Sequence, residues 1–581
     1  MTETTVGREP IQIVEILQPI CANVFGSSPC TATGEKCYNT RATCKDSPNF
    51  ALDATPLSLF FSSGKVAEIG VTGADYIIPA LRSVSTAPTK INLASANPDA
   101  QGLGQRAVCN ISLVDHPHTD RLVDPYLSGR SFDPYARASF WTKWMVRNRY
   151  RQNVQIRVYE GYAGQALAAM VKRTYFLQSI TGPDDGGAVT IQGKDILARV
   201  EERKAQAPAL SPGKLYAALT DVATSFEAAN AVEADYSATG TLRINREVMT
   251  YTGRATSTNG VTFTGLTRGT DGTTAAAHAV DDAVQQCLRY TAQRPDDIAV
   301  DLLETYAGVS ASWLDAVNWE IEVDDYLSSF ALTRLITKPT AVTELLSEMQ
   351  EQALFNLVWN EREALVKFKA IRALTEEPDV ITAESNILAG SFHLTELPRE
   401  RVSQVWIYYG LRNAVEDSDD AKNYTYSTIV ADLESETDAL YGEASIRKIY
   451  AKWLPSAALV NTTASKISNA YRDIPAQCSF QMDAKDRSYW VGDVVSISHH
   501  LDVDQFGDRQ LRFWTIVSAE ETVPGEIVEY LCQDITNYGK TYYILASGAA
   551  DYDPDNVPFK SAYIGNSLGQ LSDGANSARI T

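Results

Sequence analysis

The stretch Arg173-Thr174-Tyr175-Phe176-Leu177-Gln178-Ser179-Ile180-Thr181-Gly182-Pro183-Asp184-Asp185-Gly186-Gly187-Ala188-Val189-Thr190-Ile191-Gln192 reads as two strands and the turn between them. Tyr175 and Leu177, then Val189 and Ile191, fall on alternate positions, the period of a strand with one buried face. Between the two runs, Gly182-Pro183-Asp184-Asp185-Gly186-Gly187 ends any regular element, because proline fixes φ and glycine reaches the positive φ of tight turns. So short a connection returns the chain beside itself, which makes the strands antiparallel. The same period recurs at 57–61, 107–114 and 144–159. Working outward from the hairpin, residues 57 to about 203 are expected to form antiparallel β structure closed into a barrel or sandwich.

The chain has 581 residues, and 51 Lys and Arg stand against 72 Asp and Glu, a net charge of −21. At roughly 100 to 200 residues per domain, this length predicts about three to five domains. Glycine (34) and proline (23) are near average usage, which excludes collagen-like and low-complexity architectures. No apolar run approaches the roughly 18 residues of a bilayer span, so no membrane span is expected. The start, Met1-Thr2-Glu3-Thr4-Thr5-Val6-Gly7-Arg8-Glu9-Pro10, lacks the regions of a secretory signal, and folding in the cytoplasm is expected. The acidic balance repels phosphate and disfavours a nucleic-acid-wrapping protein, although an acid-lined channel lets nucleic acid pass without sticking.

Further along, 235–287 reads as a second β unit. In it Glu247 to Thr252 and Val261 to Thr264 are expected to form a hairpin around an Asn259-Gly260 turn. The following Leu266-Thr267-Arg268-Gly269-Thr270-Asp271-Gly272-Thr273 lacks the Lys-Ser/Thr ending of a phosphate loop and is not read as a nucleotide site. Pro295-Asp296-Asp297 opens a helix with Asp as cap, and Ile298, Leu302, Tyr306 and Val309 share its face. A second helix runs from Thr340 through Met349, and 354–369 forms a hairpin. A third helix lies between Ser456 and Tyr471, ahead of a last β unit at 478–532. The polar segment after about Gly548 reads as an extended arm.

Eight cysteines divide into two groups. Cys109, Cys287, Cys478 and Cys532 sit in apolar surroundings and read as core residues. Cys21, Cys30, Cys37 and Cys44 follow a C-x8-C-x6-C-x6-C spacing in a segment containing Gly26, Pro29 and Gly34, flexible enough to gather four thiolates around one centre. On spacing, an iron-sulfur cluster and zinc stand level; the missing C-x2-4-C knuckle counts against zinc, and the cytoplasmic start counts against disulfides.

The run Cys37-Tyr38-Asn39-Thr40-Arg41-Ala42-Thr43-Cys44-Lys45-Asp46 resembles the cysteine-rich segment of bacteriophage tail hub proteins, found in long non-contractile tails and in related gene transfer agents. Residues Asn110 through Asp124-Pro125-Tyr126 resemble the first domain of that family, and the helix followed by a hairpin resembles its middle domain. The resemblance implies a 4Fe-4S cluster, with zinc as the alternative, held by Cys21, Cys30, Cys37 and Cys44 in a structural role. It also implies a mainly β, multidomain chain with α+β parts: tail-tube-like β-barrel hub domains, a helix and hairpin domain, and an inserted small β domain. The expected segments are an arm and cysteine segment at 1–56, a first barrel at 57–215, the insertion at 216–292, an α+β domain at 293–400, a second barrel at 401–545 and an arm at 546–581.

Function follows as expectation. The family is a homotrimeric tail tip or baseplate hub of the virion that joins a six-fold tail tube to a three-fold tip. It docks on the distal tail ring, seats the tape measure protein, holds receptor-binding fibres and gates the channel for passing DNA. The alternative is a tail fibre or receptor-binding protein of the same particle, disfavoured because fibres repeat and these β units read as non-repeating. An iron-sulfur redox protein is a third reading. No G-x-S-x-G, H-E-x-x-H or phosphate-loop motif is present, so no enzymatic role is expected. Asp115-His116-Pro117-His118-Thr119-Asp120 is read as a polar loop leaving a strand rather than as a metal-ligand set.

Overall fold

The computed structural model describes residues 9–93, 103–130, 138–372, 378–486 and 488–536, so the expected arm at 546–581 lies outside the described residues. The chain is mainly β, with several sheets and an α+β centre. Its first sheet has eight strands: β1 (Pro10–Gln18), β2 (Leu57–Phe61), β3 (Ile77–Ile78), β4 (Leu81–Ala87), β5 (Val108–Val114), β6 (Gln155–Tyr162), β7 (Val171–Thr181) and β8 (Ala188–Lys194). They lie in the order β3-β2-β1-β6-β7-β8-β5-β4, and all pairs but β2 with β3 are antiparallel. β5 alternates as expected, with Cys109, Ile111 and Leu113 turned inward.

Two expectations for this region are corrected. The segment 144–159 is not one strand: Phe140–Arg147 is a helix and β6 begins at Gln155. Phe140, Trp141 and Trp144 lie on one side of a helical turn, and all three are buried beneath the sheet, which outweighs the aromatic preference for strands. Nor is 1–56 a separate arm, because β1 is an interior strand between β2 and β6. Both its faces are covered: Ile11 and Ile13 pack on one cluster, Val14 and Ile16 on another, so the clean alternation of a half-exposed strand is missing.

The second sheet has six strands in the order Val380–Thr382, Val494–Ser498, Arg512–Val523, Ile527–Asp534, Ala476–Asp483, His393–Glu396. Two of these precede residue 400. The strands Gln404–Leu411, Tyr424–Ala431 and Ile446–Tyr450 join the central α+β core instead. The expected boundary at 400 therefore cuts through both units. The reason is the helix Ala457–Tyr471, whose Val460, Ala464, Ile467 and Tyr471 bury into the same core as Leu345, Leu346 and Met349 of helix Val342–Ala353. Helix Pro295–Asp301 starts with Pro at its first turn, but Arg294 occupies the cap position and Asp296 pairs back to it; the helix then continues as a π-helical turn, Leu302–Tyr306. The hairpin Phe355–Asn360 with Leu365–Ala370 forms as expected.

The two large sheets carry the same fold unit. Residues 155–194 match residues 494–533 without a gap: Gln155 pairs with Phe176 as Val494 pairs with Thr515, and Leu177 pairs with Gly193 as Ile516 pairs with Cys532. Both second strands carry a β-bulge at the matching step, between Leu177 and Ser179 and between Ile516 and Ser518. The strand beside the third matches too, Cys109 facing Gly193 and Cys478 facing Cys532. Buried side chains correspond in kind: Tyr175 with Trp514, Leu177 with Ile516, Val158 with Ile497 and Ile111 with Phe480. A bulge inserts one residue and re-aims every side chain after it, so sharing its position marks the two sheets as one device used twice. The expectation of non-repeating β units does not hold for these sheets.

The inserted module closes around Leu242, Ile244, Met249, Val261 and Phe263. Its Asn259-Gly260 turn joins Gly253–Thr256 to Gly260–Thr264, whereas Glu247–Tyr251 pairs with Gly240–Ile244 across Asn245 and Arg246. Asn245 takes the positive φ that its turn requires, a conformation asparagine adopts readily.

Asp195 closes the first sheet. Its carboxylate accepts the Ala107 and Ala198 amides, at 3.0 and 3.1 Å, and caps the short helix Ile196–Glu201. Burial pushes its pKa up to about 6, against the pull of Arg106 and the Ala107 amide. A raised carboxyl stabilises most below its unfolded value, near 3.8, and that contribution is lost as pH rises through about 6. The expected result is a melting temperature that falls between pH 5 and 7, with a shallower fall in Asp195→Asn measured by circular dichroism; equal slopes would remove Asp195 from the account.

Candidate functional site

The cysteine segment, residues 21–52, leaves the end of β1 and returns beside it, where Cys21 bridges Leu52. The Cys21 amide donates to the Asn39 carbonyl (2.9 Å), and the Asn39 side chain donates back to the Cys21 carbonyl (3.2 Å). Asn39 adopts positive φ, which lets the chain turn between Cys37 and Cys44. Asp46 accepts the Thr31 amide (2.6 Å) and hydroxyl (2.9 Å), tying the Cys30 side of the loop to the Cys44 side. These hydrogen bonds hold the Asp46 carboxyl below its usual range.

The loop is fastened to the first sheet by stacked cations. The Tyr38 ring lies between two guanidinium groups, Arg130 at 3.9 Å and Arg147 at 3.8 Å. Arg130 also donates to the Lys36 carbonyl (3.0 Å) and the Cys37 carbonyl (2.6 Å) while pairing with buried Asp124. Arg147 pairs with Asp120 (2.9 Å), and its own carbonyl accepts the Thr40 hydroxyl (2.6 Å). A planar guanidinium stacks and donates together, so each arginine links the loop to a carboxylate on the sheet side.

The Asp115 to Asp120 segment is part of this fastening. Asp115 accepts the Trp141 amide (2.9 Å) at the start of the helix, and Asp120 takes Lys143 (2.7 Å) and Arg147. Burial raises the Asp120 carboxyl, but hydrogen bonds from His118, Arg147 and Lys143 outweigh it and hold it well below the usual carboxylate range. His116 stacks on Phe140, and His118 meets the same ring edge-on.

All four loop cysteines are half-buried free thiols, whereas Cys109, Cys287, Cys478 and Cys532 are buried in cores. Among the described residues, no three His, Cys, Asp or Glu side chains stand close enough together to hold a single metal ion. The four thiols nonetheless share one neighbourhood. Burial pushes the Cys37 thiol up; the Asn39 amide opposes this, and Cys44, Cys21 and Cys30 each push it further up. Mutual repulsion of this kind is relieved by a cationic group bound among them.

A second constellation, which sequence reading missed, lies where the two large sheets meet. Arg173, at 2% exposure, pairs with Glu160 of β6 and, at 3.1 Å, with Glu521 of the second sheet. The turn of the central hairpin wedges beside them. The Thr174 amide donates to the Glu361 carbonyl (2.8 Å), Trp359 donates to the Thr174 carbonyl (3.2 Å), and Trp490 donates to the Glu361 carboxylate (3.1 Å). Arg362 stacks on Trp490 at 3.6 Å, and the Tyr162 hydroxyl donates to the Gly525 carbonyl. Burial raises the Glu160 carboxyl, Arg173 opposing and Glu521 adding to the rise. The available signal was parity: Arg173 shares the inward register of Tyr175 and Leu177, and Glu160 that of Ile156 and Val158.

No protein-family model matches the chain, and no curated protein matches it. Among solved structures, it is similar to a 43 kDa tail protein of prophage MuSo2 from Shewanella oneidensis, at 10% identity and TM-score 0.36, covering 79% of this chain and 98% of that one. It is similar to a tail protein from Neisseria meningitidis MC58, at 9% identity and TM-score 0.38, covering 79% and 99%. A third is prophage tail protein gp18 from Listeria monocytogenes EGD-e, at 8% identity and TM-score 0.31, covering 75% and 86%. Identities and TM-scores this low carry no functional argument; the residues of this chain have to carry it.

Proposed function

We propose that the protein is the structural hub of a long-tailed phage tail tip. The observation that carries this reading is the repeated sheet: one chain holds two copies of one five-strand unit, bulge included, so three chains present six. Such an assembly joins a six-fold tube to a three-fold tip, because each subunit offers two like surfaces upward and one set of unlike surfaces downward. In this role it docks on the distal tail ring, seats the end of the tape measure protein, anchors receptor-binding fibres and gates the DNA channel. A net charge of −21 suits a wall past which DNA slides without binding. The role is structural rather than catalytic. A fibre or receptor-binding protein would present elongated serial modules, whereas these two units enclose a central α+β core.

The cysteine loop, in the same reading, holds a 4Fe-4S cluster through Cys21, Cys30, Cys37 and Cys44, with zinc as the alternative. Four half-buried thiols whose charges repel one another suit a cationic group, and a cluster reaches ligands set too widely for one ion. When bound, it supplies a rigid crosslink to a loop with few apolar residues of its own. Anaerobic purification from an iron-replete host, with absorption spectrum, metal analysis and native mass, tests both parts. The expected result is a brown protein of three copies, and a Cys37→Ser variant that loses iron, visible absorption and thermal stability. Zinc or no metal in the wild type would overturn the cluster, and a native mass of one copy would overturn the hub.

A further inference from the structure

The joint between the two sheets is heterologous. The first sheet contributes the end of β6 and the start of β7, with Glu160, Tyr162 and Arg173; the second contributes the turn after Arg512–Val523, with Glu521 and Gly525. Because residues 155–194 match 494–533, each sheet also owns the half of this contact that it does not use. On the second sheet the counterparts of Glu160, Tyr162 and Arg173 are His499, Leu501 and Arg512. On the first sheet the counterpart of the turn at 521–526 is the turn at 182–187.

Exposure separates the used half from the unused one. Tyr162 is 5% exposed beneath Gly525, whereas its counterpart Leu501 is 57% exposed. Around Leu501 the same loop leaves Val503, Phe506 and Leu511 in solvent, Phe506 at 79%. Clustered exposed apolar residues of this kind mark an interaction surface. In the matching turn, Asp184 and Asp185 are exposed.

We propose that this surface is covered by a second copy of the chain, whose turn at 182–187 seats against residues 499–512 as the turn at 521–526 seats against β6 and β7 within one chain. A heterologous contact repeated with rotation closes a ring, and first and second sheets then alternate around it. The proposal rests on the hub reading and names the surfaces by which its three copies meet. The contact between chains is more apolar than the one within. Arg512 is already paired with Asp502 (3.1 Å) and Asp534 (3.3 Å), Arg509 is paired with Glu384 (2.6 Å), and position 182 is glycine where Glu521 supplies a carboxylate.

The test places the photo-crosslinker p-benzoylphenylalanine at position 501 of the full chain. Copies labelled with 14N and 15N are co-assembled, and crosslinked peptides are mapped by mass spectrometry alongside native mass. The expected result is a mixed-label crosslink from 501 to residues 182–187 in a three-copy particle. Leu501→Asp with Phe506→Asp is expected to shift the native mass to one copy while the circular-dichroism melt of the chain is unchanged. A three-copy particle crosslinked elsewhere, or one that survives the double substitution, overturns this joint and leaves the hub reading standing. A wild type of any other native mass overturns both.

Discussion

Arg173→Met is expected to destabilise the protein by about 3–5 kcal/mol, the cost of removing one partner from a buried ion pair. The side chain is 2% exposed and faces two carboxylates, Glu160 and Glu521, on different sheets. Methionine fills much of the space, so the loss is electrostatic: two acids remain beside each other, away from water. Urea unfolding followed by tryptophan fluorescence measures it, and Trp490 beside the joint makes the signal local. Adding Glu160→Gln and Glu521→Gln to Arg173→Met is expected to recover most of the loss, since replacing an entire buried ion network is often neutral. A neutral Arg173→Met, or a triple variant no better than the single, would show that the hairpin wedge alone holds the sheets together.

Glu247→Ala is expected to cost a similar amount, about 3–5 kcal/mol, confined to the inserted module. This carboxylate is 1% exposed and accepts from five donors: Arg268 through Nε and Nη2, both at 2.7 Å, the Gly269 and Ala276 amides, both at 3.0 Å, and His278 Nε2 at 2.8 Å. Burial pushes its pKa up, but the Arg268, Ala276 and His278 hydrogen bonds outweigh burial and hold it below the usual range. A depressed carboxyl stabilises above its unfolded value, near 4.5, and the contribution fades as pH falls below that. Removing it strands a cation and two amides, and hydrogen exchange is expected to rise across 266–278 while the large sheets keep their protection. Unchanged exchange there would show that the loop holds its shape without the carboxylate.

The same residues explain why the glycine-rich stretch is not a phosphate loop. Its arginine and two of its amides already grip Glu247, which lies in a strand some twenty residues earlier in the chain, so the anion they bind is internal. The sequence argued this negatively, from a missing lysine; the tertiary structure supplies the positive reason.

Local patterns were legible where one physical preference dominated. The strand alternation of β5, the hairpin at 355–370, the helix at 342–353 and the division of cysteines into loop and core sets all follow from period, turn residues and apolar neighbours. They were misread where a residue serves two masters. Trp141 and Trp144 belong to strands by propensity and to a helix by the sheet they cover. β1 looked like an arm because both of its faces are buried and its alternation is lost.

The sequence by itself determined a mainly β, multidomain, acidic chain, four cysteines gathered in one segment and the approximate positions of most strands and helices, because each depends on neighbours within a few residues. Only the tertiary structure decided that the strands on either side of residue 400 change partners, that Tyr38 is clamped between Arg130 and Arg147, and that 155–194 and 494–533 are one unit used twice. Arg173-Thr174-Tyr175-Phe176-Leu177-Gln178-Ser179 and Arg512-Phe513-Trp514-Thr515-Ile516-Val517-Ser518 share an arginine, an aromatic, an aliphatic and a serine at the same steps, which is too little for sequence to assert a repeat. Register and bulge make it plain, because hydrogen-bond pairing between strands far apart in the chain is a property of the folded sheet and leaves almost no trace in local composition.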